Sequence, residues 1–387
     1  MAKKKRIPEI RFDGFEEEWE EKRLGEIAEI NPKSILPNDF KYVDLESVEG
    51  STLVNSRVEH INTAPSRAQR LAEYGDIFYQ TVRPYQKNNF LFDIKDNNYN
   101  YVFSTGYAQL RTVYSVNNDF LFQSIQLEKF VNEVMLRCTG TSYPAINSTE
   151  LSKIKLDIPK DKEESKQIGY ILNTISNIIN TINERVEKLK NYKQSMLQKM
   201  FPKQGEKVPE IRFEGFEGEW EEKKLSEVSQ IKKGKQLNKE KIAENGKYYH
   251  LNGGILPSNR TNLWNSNKNT ISISEGGENC GYVKWNNQKF FSGGHNYTLI
   301  HLTVKSYFLL SFLKSIEKSI MRLRVGSGLP NIQIRDLENI IISIPSDLEQ
   351  EKISKIFFEI DNQISLQQQK LDAYKKLKKT LLDKMFI

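Results

Sequence analysis

IPEIRFDGFEEEWEEKRLGEI at residues 7–27 returns as VPEIRFEGFEGEWEEKKLSEV at 208–228, with fifteen of twenty-one positions identical. Chance does not produce such a match, and self-similarity at a fixed period marks a repeated architectural unit. A second pair lies at the far end of each half. TSYPAINSTELSKIKLDIP at 141–159 aligns with SGLPNIQIRDLENIIISIP at 327–345, and MLQKMFP at 196–202 aligns with LLDKMFI at 381–387. The order is therefore entry motif, variable middle, a strand motif ending in IP, a helix, and then all four again. The middles, 31–137 and 230–324, show no convincing similarity to each other. A shared frame with divergent centres is what two like scaffolds reading two different targets would show.

The repeated helical segments carry a further pattern. From Asp161 to Met200 Gly169 is the only helix breaker, and Ile168, Ile175, Ile182, Leu189 and Met196 fall seven apart. Ile171, Ile178 and Tyr192 occupy the adjoining positions of a coiled-coil seam. In the second copy Ile353, Ile360, Tyr374 and Leu381 continue the same stripe, flanked by Phe357, Ile364 and Leu371, with Gln367 as its polar exception. Neither helix buries such a stripe alone. Each would pack on its own domain or, better, the two would pair, because seams of matched length solve each other's burial problem. An approximate two-fold relation between the halves makes that pairing antiparallel.

Length and composition set the limits. A chain of 387 residues exceeds the usual single-domain range. A hydrophobic content of 38% with 28% charged residues describes a globular protein, and no run of some 18 apolar residues is available to span a membrane. The start, MAKKKRIPEI, is basic but lacks the apolar stretch of a secretory signal, so a cytoplasmic location is expected. Cys138 and Cys280 are too few for a disulfide framework and have no zinc-ligand spacing. The net charge of +7 suits a polyanionic partner.

Within the entry motif, Ile10, Phe12, Phe15 and Trp19 are expected to tuck the start of the domain onto its core. Glu20 and Lys22 loosely mimic a nuclease metal site, but the aspartate such a site needs is missing. The middles offer the side chains that suit base edges, since Arg and Lys pair with guanine and Asn and Gln with adenine. In GDIFYQTVRPYQKNNFLF (75–92), Arg83, Tyr85, Gln86, Lys87, Asn88 and Asn89 fall in a turn between two apolar runs, and Arg67 and Arg70 precede it. In the second middle, HLNGGILPSNRTNLW (250–264) offers Asn252, Asn259, Arg260 and Asn262, and SGGHNYTLI (292–300) offers His295, Asn296 and Tyr297. Glycines in both loops permit close backbone approach. Any one of these residues serves equally well to satisfy a turn. No adenine-methyltransferase (D/N)PP(Y/F) motif, P-loop or dinucleotide fingerprint is present, and no catalytic or metal-ligating set is expected.

The duplicated entry motif, GDIFYQTVRPYQKN, TGYAQLR at 105–111, SGGHNYTL, the TSYPAI and SGLPNI segments and the helices ending in QKMFP and DKMFI together resemble the specificity subunits of type I restriction-modification systems over essentially the whole chain. That resemblance implies an α+β fold of two pseudo-repeated mixed α/β target recognition domains, each followed by a long helix, with the helices pairing as an antiparallel coiled coil. The expected boundaries are 1–155 and 206–345 for the recognition domains and 156–205 and 346–387 for the helices. It also implies a non-catalytic subunit that binds a bipartite double-stranded DNA target, one half-site per domain. Two modification subunits would methylate adenine and restriction subunits would cleave. S-adenosylmethionine, ATP and magnesium would then sit on those partners. A coiled-coil interaction scaffold not specific for DNA, and the recognition subunit of a type IIB-like system, are the competing readings.

If the helices act as a ruler between half-sites, inserting one heptad into the first helix changes the spacing of the recognised motif or abolishes binding. Sequencing the motif recognised by the lengthened chain checks this; an unchanged spacing counts against the ruler.

Overall fold

The computed structural model describes residues 5–96, 98–113, 116–326, 328 and 330–387. Two compact units emerge, one formed by the chain up to Ile182 together with Lys370–Ile387, the other by Asn183–Gln369. Both long helices, Lys162–Lys199 and Asp347–Met385, are continuous and contribute to both units.

In the first unit a four-stranded antiparallel sheet runs in the spatial order Ala28–Ile30, Tyr107–Thr112, Ile77–Gln80, Phe90–Leu91. A second sheet has the order Arg57–His60, Asp39–Val43, Asn100–Ser104, Ala68–Leu71, with a parallel pair at its centre. The second unit repeats this plan. Its first sheet is Gln230–Lys233, Asn296–Ile300, Thr270–Ser274, Val283–Asn286, also antiparallel, and its second is Asn259–Thr261, Tyr248–Leu251, Phe291–Ser292 with one parallel pair. In each unit the entry motif pairs antiparallel with the IP strand: Glu20–Arg23 with Lys155–Ile158, and Glu221–Lys224 with Ile341–Ile344. The two middles thus share the strand order of the first sheet and a parallel pair in the second despite their unrelated sequences, although that second sheet has four strands in the first unit and three in the second.

The period of two along the central strands explains how this is possible. Ile77 and Tyr79 face the helical core of the first unit, and Ile271 and Ile273 face that of the second. The opposite faces meet the second sheets with different chemistry. In the first unit that layer is aromatic, with Phe78 stacked on Phe103 at 3.6 Å and packed among Phe90 and Tyr107. In the second it is hydrogen-bonded: Asn286 donates to Ser272 Oγ at 2.9 Å and accepts from Tyr249 Oη at 2.8 Å. Apolar packing and a satisfied polar network each fill such a layer, so the fold does not demand one sequence.

Each unit holds the start of one long helix against the end of the other, which makes the pairing antiparallel. In the first, buried Ile168 and Leu172 share a core with Met385 and with partly buried Leu381 and Leu382. In the second, Leu197 and Met200 pack with Ile353, Phe357 and Ile360, and Lys193 Nζ lies 2.5 Å from Asp361 Oδ1. Along the stripe, Ile168, Ile175, Ile353, Phe357, Ile360 and Leu371 are buried, while Ile182, Leu189, Met196, Ile364, Tyr374 and Leu381 are half-buried. Tyr192 is exposed, and Val186, outside the expected stripe, is buried at 2% exposure. Gln367 is buried at 7% exposure, a polar position inside an apolar seam.

The entry motifs lock onto these helices. Arg11 donates from Nε and Nη2 to the two oxygens of Glu164 at 2.6 and 2.8 Å, and the Trp19 indole donates to the same carboxylate at 3.3 Å. Arg212 grips Glu349 in the same two-pronged way at 2.8 and 2.8 Å. Both carboxylates are sealed from water, at 0% and 1% exposure. Trp19 packs edge-on against Phe120 and Phe386, and Trp220 against Phe201. The MF pair that ends each helix therefore fills the tryptophan pocket of a unit: Met385 and Phe386 in the first, Met200 and Phe201 in the second. Ile10 departs from the expectation that it tucks inward. Its side chain is 39% exposed, and its backbone N–H does the docking by donating to the Lys384 carbonyl at 2.9 Å.

Cys138 and Cys280 are free, and among the described residues no helix is long and apolar enough to cross a membrane. Removing one member of a buried ion pair strands a charge at a cost of about 3–5 kcal/mol. Glu164→Ala is therefore expected to lower the unfolding free energy by about that amount, and the double change R11M/E164L by clearly less. Denaturant titration of the three proteins checks this; a double variant as unstable as the single one would show that packing, not charge, dominates.

Candidate nucleic-acid interface

In the first unit the turn that follows Ile77–Gln80 is built on a buried glutamine. Gln80 receives the backbone N–H of Asn88 on its own Oε1 at 3.1 Å, donates its side-chain amide to Gln86 Oε1 at 2.9 Å, and donates its backbone N–H to Asn89 Oδ1 at 2.8 Å. Asn89 in turn donates to Gln126 Oε1 at 3.2 Å. The turn contains a short 3-10 segment, Pro84–Gln86, flanked by Arg83 and Lys87 in left-handed backbone conformation with φ 53° and 57°.

Several candidate side chains are spent on holding this turn. Lys87 Nζ donates to the Gln126 carbonyl at 2.9 Å and to Glu128 at 2.7 Å, and Asn88 Oδ1 accepts the Gly50 N–H at 2.9 Å. Asn89 is buried, at 1% exposure. Tyr85 at 52% exposure, with Gln86 and the half-buried Arg83, presents the accessible chemistry. Arg67 and Arg70 belong to a different part of the unit, the edge of the second sheet around Ala68–Leu71. Arg67 is exposed. Arg70 is half-buried with no hydrogen-bond partner for Nε among the described residues, and burial pushes its pKa down.

The second unit brings its two candidate loops together. Asn252 Oδ1 accepts the His295 N–H at 3.2 Å, and Gly254 N–H donates to Ser274 Oγ at 2.9 Å. Gly293 lies so close to Asn252 and His250 that a Cβ there would collide with both, which explains the glycine. Asn259 supports the loop from beneath through His250 Nδ1 at 2.6 Å. Arg260 and Asn262 instead grip the Gly246–Lys247 turn: Arg260 donates to the carbonyls of both residues at 2.6 and 3.1 Å, and Asn262 Oδ1 accepts the Lys247 N–H at 3.1 Å. Asn296 and Tyr297 are buried, at 1% and 3% exposure, so they shape the loop from inside.

The centre of that cluster is a residue the sequence reading passed over. Glu275 accepts from Lys233 Nζ at 2.5 Å and from Tyr297 Oη at 3.1 Å, and its other oxygen lies 3.6 Å from His295 Nδ1. Burial, with Glu275 beside it, pushes the Tyr297 phenol up, so it stays a neutral donor. Lys233 and His295 remain largely exposed above the carboxylate, with side chains 55% and 64% accessible. The available signal was a lone Glu between a strand and a Gly-Gly pair. In the first unit Tyr143 was passed over in the same way, although it sits in the repeated TSYPAI segment.

Taken together, each unit presents an irregular, polar, partly cationic surface at the ends of its central strands, on a scaffold held by buried pairs. Such surfaces suit groove edges and phosphates, where amides, guanidinium groups and aromatics all find partners.

Comparison with known proteins agrees with this architecture. The type I restriction modification DNA specificity domain matches twice, over residues 16–191 and 217–376. A protein of Mycoplasma pneumoniae provisionally named a type I specificity subunit is 34% identical over 171 residues, and one of Mycoplasma genitalium is 34% identical over 173. These alignments span 43% of this chain, and 45% and 44% of those relatives, less than half of each. The specificity subunit of the type I restriction enzyme MjaVIII of Methanocaldococcus jannaschii is 26% identical over 293 residues, 68% of each chain. The crystal structure of the S subunit of a type I restriction-modification system from M. genitalium shares the fold, with a TM-score of 0.75 at 17% identity over 98% of this chain and 99% of that one. With both repeats matched across most of its length, the chain belongs to the family of type I restriction-modification DNA specificity proteins.

Proposed function

We propose that the chain is the sequence-specific DNA-binding subunit of a type I restriction-modification assembly and that each module reads one half of a split target. The observation that carries this reading is the duplication itself. Two modules share the strand order of the central sheet, the entry lock and the family match, yet their middles show no convincing similarity in sequence and carry different side chains at the ends of their central strands. A scaffold repeated for structure alone has no reason to keep its frame and diversify its middle.

In this reading residues 1–155 and 206–345 are the recognition domains, and 156–205 and 346–387 are the paired spacer helices. A helix of 38 residues is about 57 Å long at 1.5 Å per residue, so its length would set the number of base pairs between half-sites. Recognition draws on Arg67, Arg70, Arg83, Tyr85 and Gln86 in the first module, and on Asn252 and His295 with Lys233 in the second. The remaining candidates brace these loops or, for Arg260 and Asn262, the Gly246–Lys247 turn. The chain itself performs no bond-breaking step. Modification subunits carrying S-adenosylmethionine methylate adenine within the bound target, and restriction subunits using ATP and magnesium cleave DNA that lacks the mark, all in the cytoplasm. The protein's task is to place a particular sequence before those subunits and to exclude the rest.

Mapping methylated adenines across the genome of a host that expresses this chain with its modification subunit, against a host lacking only this chain, tests the proposal. A split motif that vanishes on deletion is the expected outcome. Unchanged methylation overturns it.

A further inference from the structure

The two modules can be superposed in thought through one turn. After Ile77–Gln80, Val82 bridges to Ala145 and Arg83 N–H donates to the Pro144 carbonyl at 2.8 Å. After the corresponding strand Thr270–Ser274, Gly276 bridges to Asn331 and Gly277 N–H donates to the Pro330 carbonyl at 3.0 Å. Pro144 and Pro330 are aligned in the repeated segments, so Arg83 and Gly277 are structural equivalents. Both adopt left-handed backbone, with φ 53° and 82°.

Glycine occupies that conformation freely, whereas a side chain is strained there. The second module takes the unstrained solution. The first keeps an arginine, and backbone strain persisting at a surface turn points to a role for the side chain. That side chain is held in a particular way. Its guanidinium carbon lies 4.2 Å from the centre of the Tyr143 ring, and among the described residues the guanidinium makes no hydrogen bond or ion pair. Tyr143 is itself 65% exposed, and its loop is fixed by the Thr139–Ala145 bridge and by left-handed Gly140. A ring face orients a guanidinium plane without occupying its N–H donors. The result is a half-buried, pre-oriented fork of free donors at the tip of the reading surface.

We infer that Arg83, positioned by Tyr143, reads a guanine in the first half-site, donating in two-pronged fashion to O6 and N7, and that the second module lacks this device. The inference rests on the proposed function and names a base for one of its sites. Guanine is the base whose major-groove edge offers two adjacent acceptors to such a fork. A lysine at 83 would supply charge but neither the plane that stacks on Tyr143 nor the paired donors.

The test is the same methylation map, made with the intact assembly carrying R83G, R83K, Y143A or Y143F. The parent motif is expected to require guanine at one position of one half-site. R83G and R83K lose that requirement by about tenfold or more at that position, leaving the other half-site intact. Y143A weakens it and Y143F keeps it, because the ring face and not the hydroxyl does the orienting. R83G suits the backbone, so an unchanged melting temperature of the purified chain serves as the folding control. A guanine requirement that survives R83G, or a Y143A map identical to the parent, overturns the inference while leaving the DNA-binding reading in place. Methylation indifferent to the whole chain overturns both.

Discussion

Glu164 and Glu349 sit near the starts of the two long helices, cut off from water, and each is held by an arginine from a repeated entry motif. A carboxylate in that position is tolerable only with its partner present and correctly aimed, so the contact selects one arrangement of entry motif against helix and penalises the alternatives. Everything downstream is referred to that lock. It places Trp19 and Trp220 over the core, and the tryptophan pockets receive the MF ends of the helices. The short strand that follows each motif then reaches the IP strand at the other end of the module, closing the frame around a middle of free sequence.

That closure separates two kinds of demand. The frame must be rigid and repeatable, and its buried bidentate pairs, edge-to-face aromatics and antiparallel helix contacts all supply rigidity. In the proposed role the middle presents different groups to different targets. Its central strands meet both needs, because alternate residues face opposite ways. One face keeps the apolar core that the frame requires. The other is filled by stacked phenylalanines in the first unit and by serine, asparagine and tyrosine hydrogen bonds in the second. Unlike residues thus fill the same central sheet without refolding it.

The loops then divide into bracing and presenting residues. Gln80, Asn88, Asn89 and Lys87 are largely consumed in holding one turn, and Asn259, Asn296 and Tyr297 in holding another. What faces outward is a smaller set, dominated by Arg83, Tyr85 and Gln86 in one module and by Lys233 and His295 over Glu275 in the other. Polar residues at such sites look alike in sequence, since a side chain that satisfies a turn and one that meets a base are drawn from the same few types.

The sequence by itself determined the duplication, the helices with their apolar stripe, the antiparallel pairing and the family, because each is written as a pattern that local chemistry enforces: repeated motifs, heptad spacing, and a stripe too long to bury alone. Only the tertiary structure decided that the two middles share the strand order of their central sheet, since packing between the sheets is satisfied by unlike residues that leave no common pattern. It also decided that each helix end fills the pocket of a particular unit, and that Ile10 docks through its backbone and not its side chain. Finally, it alone distinguished Arg83 on Tyr143, whose guanidinium makes no hydrogen bond among the described residues, from neighbours whose donors are spent. Hydrogen-bond partners come from residues distant in the chain, and no reading of spacing supplies them.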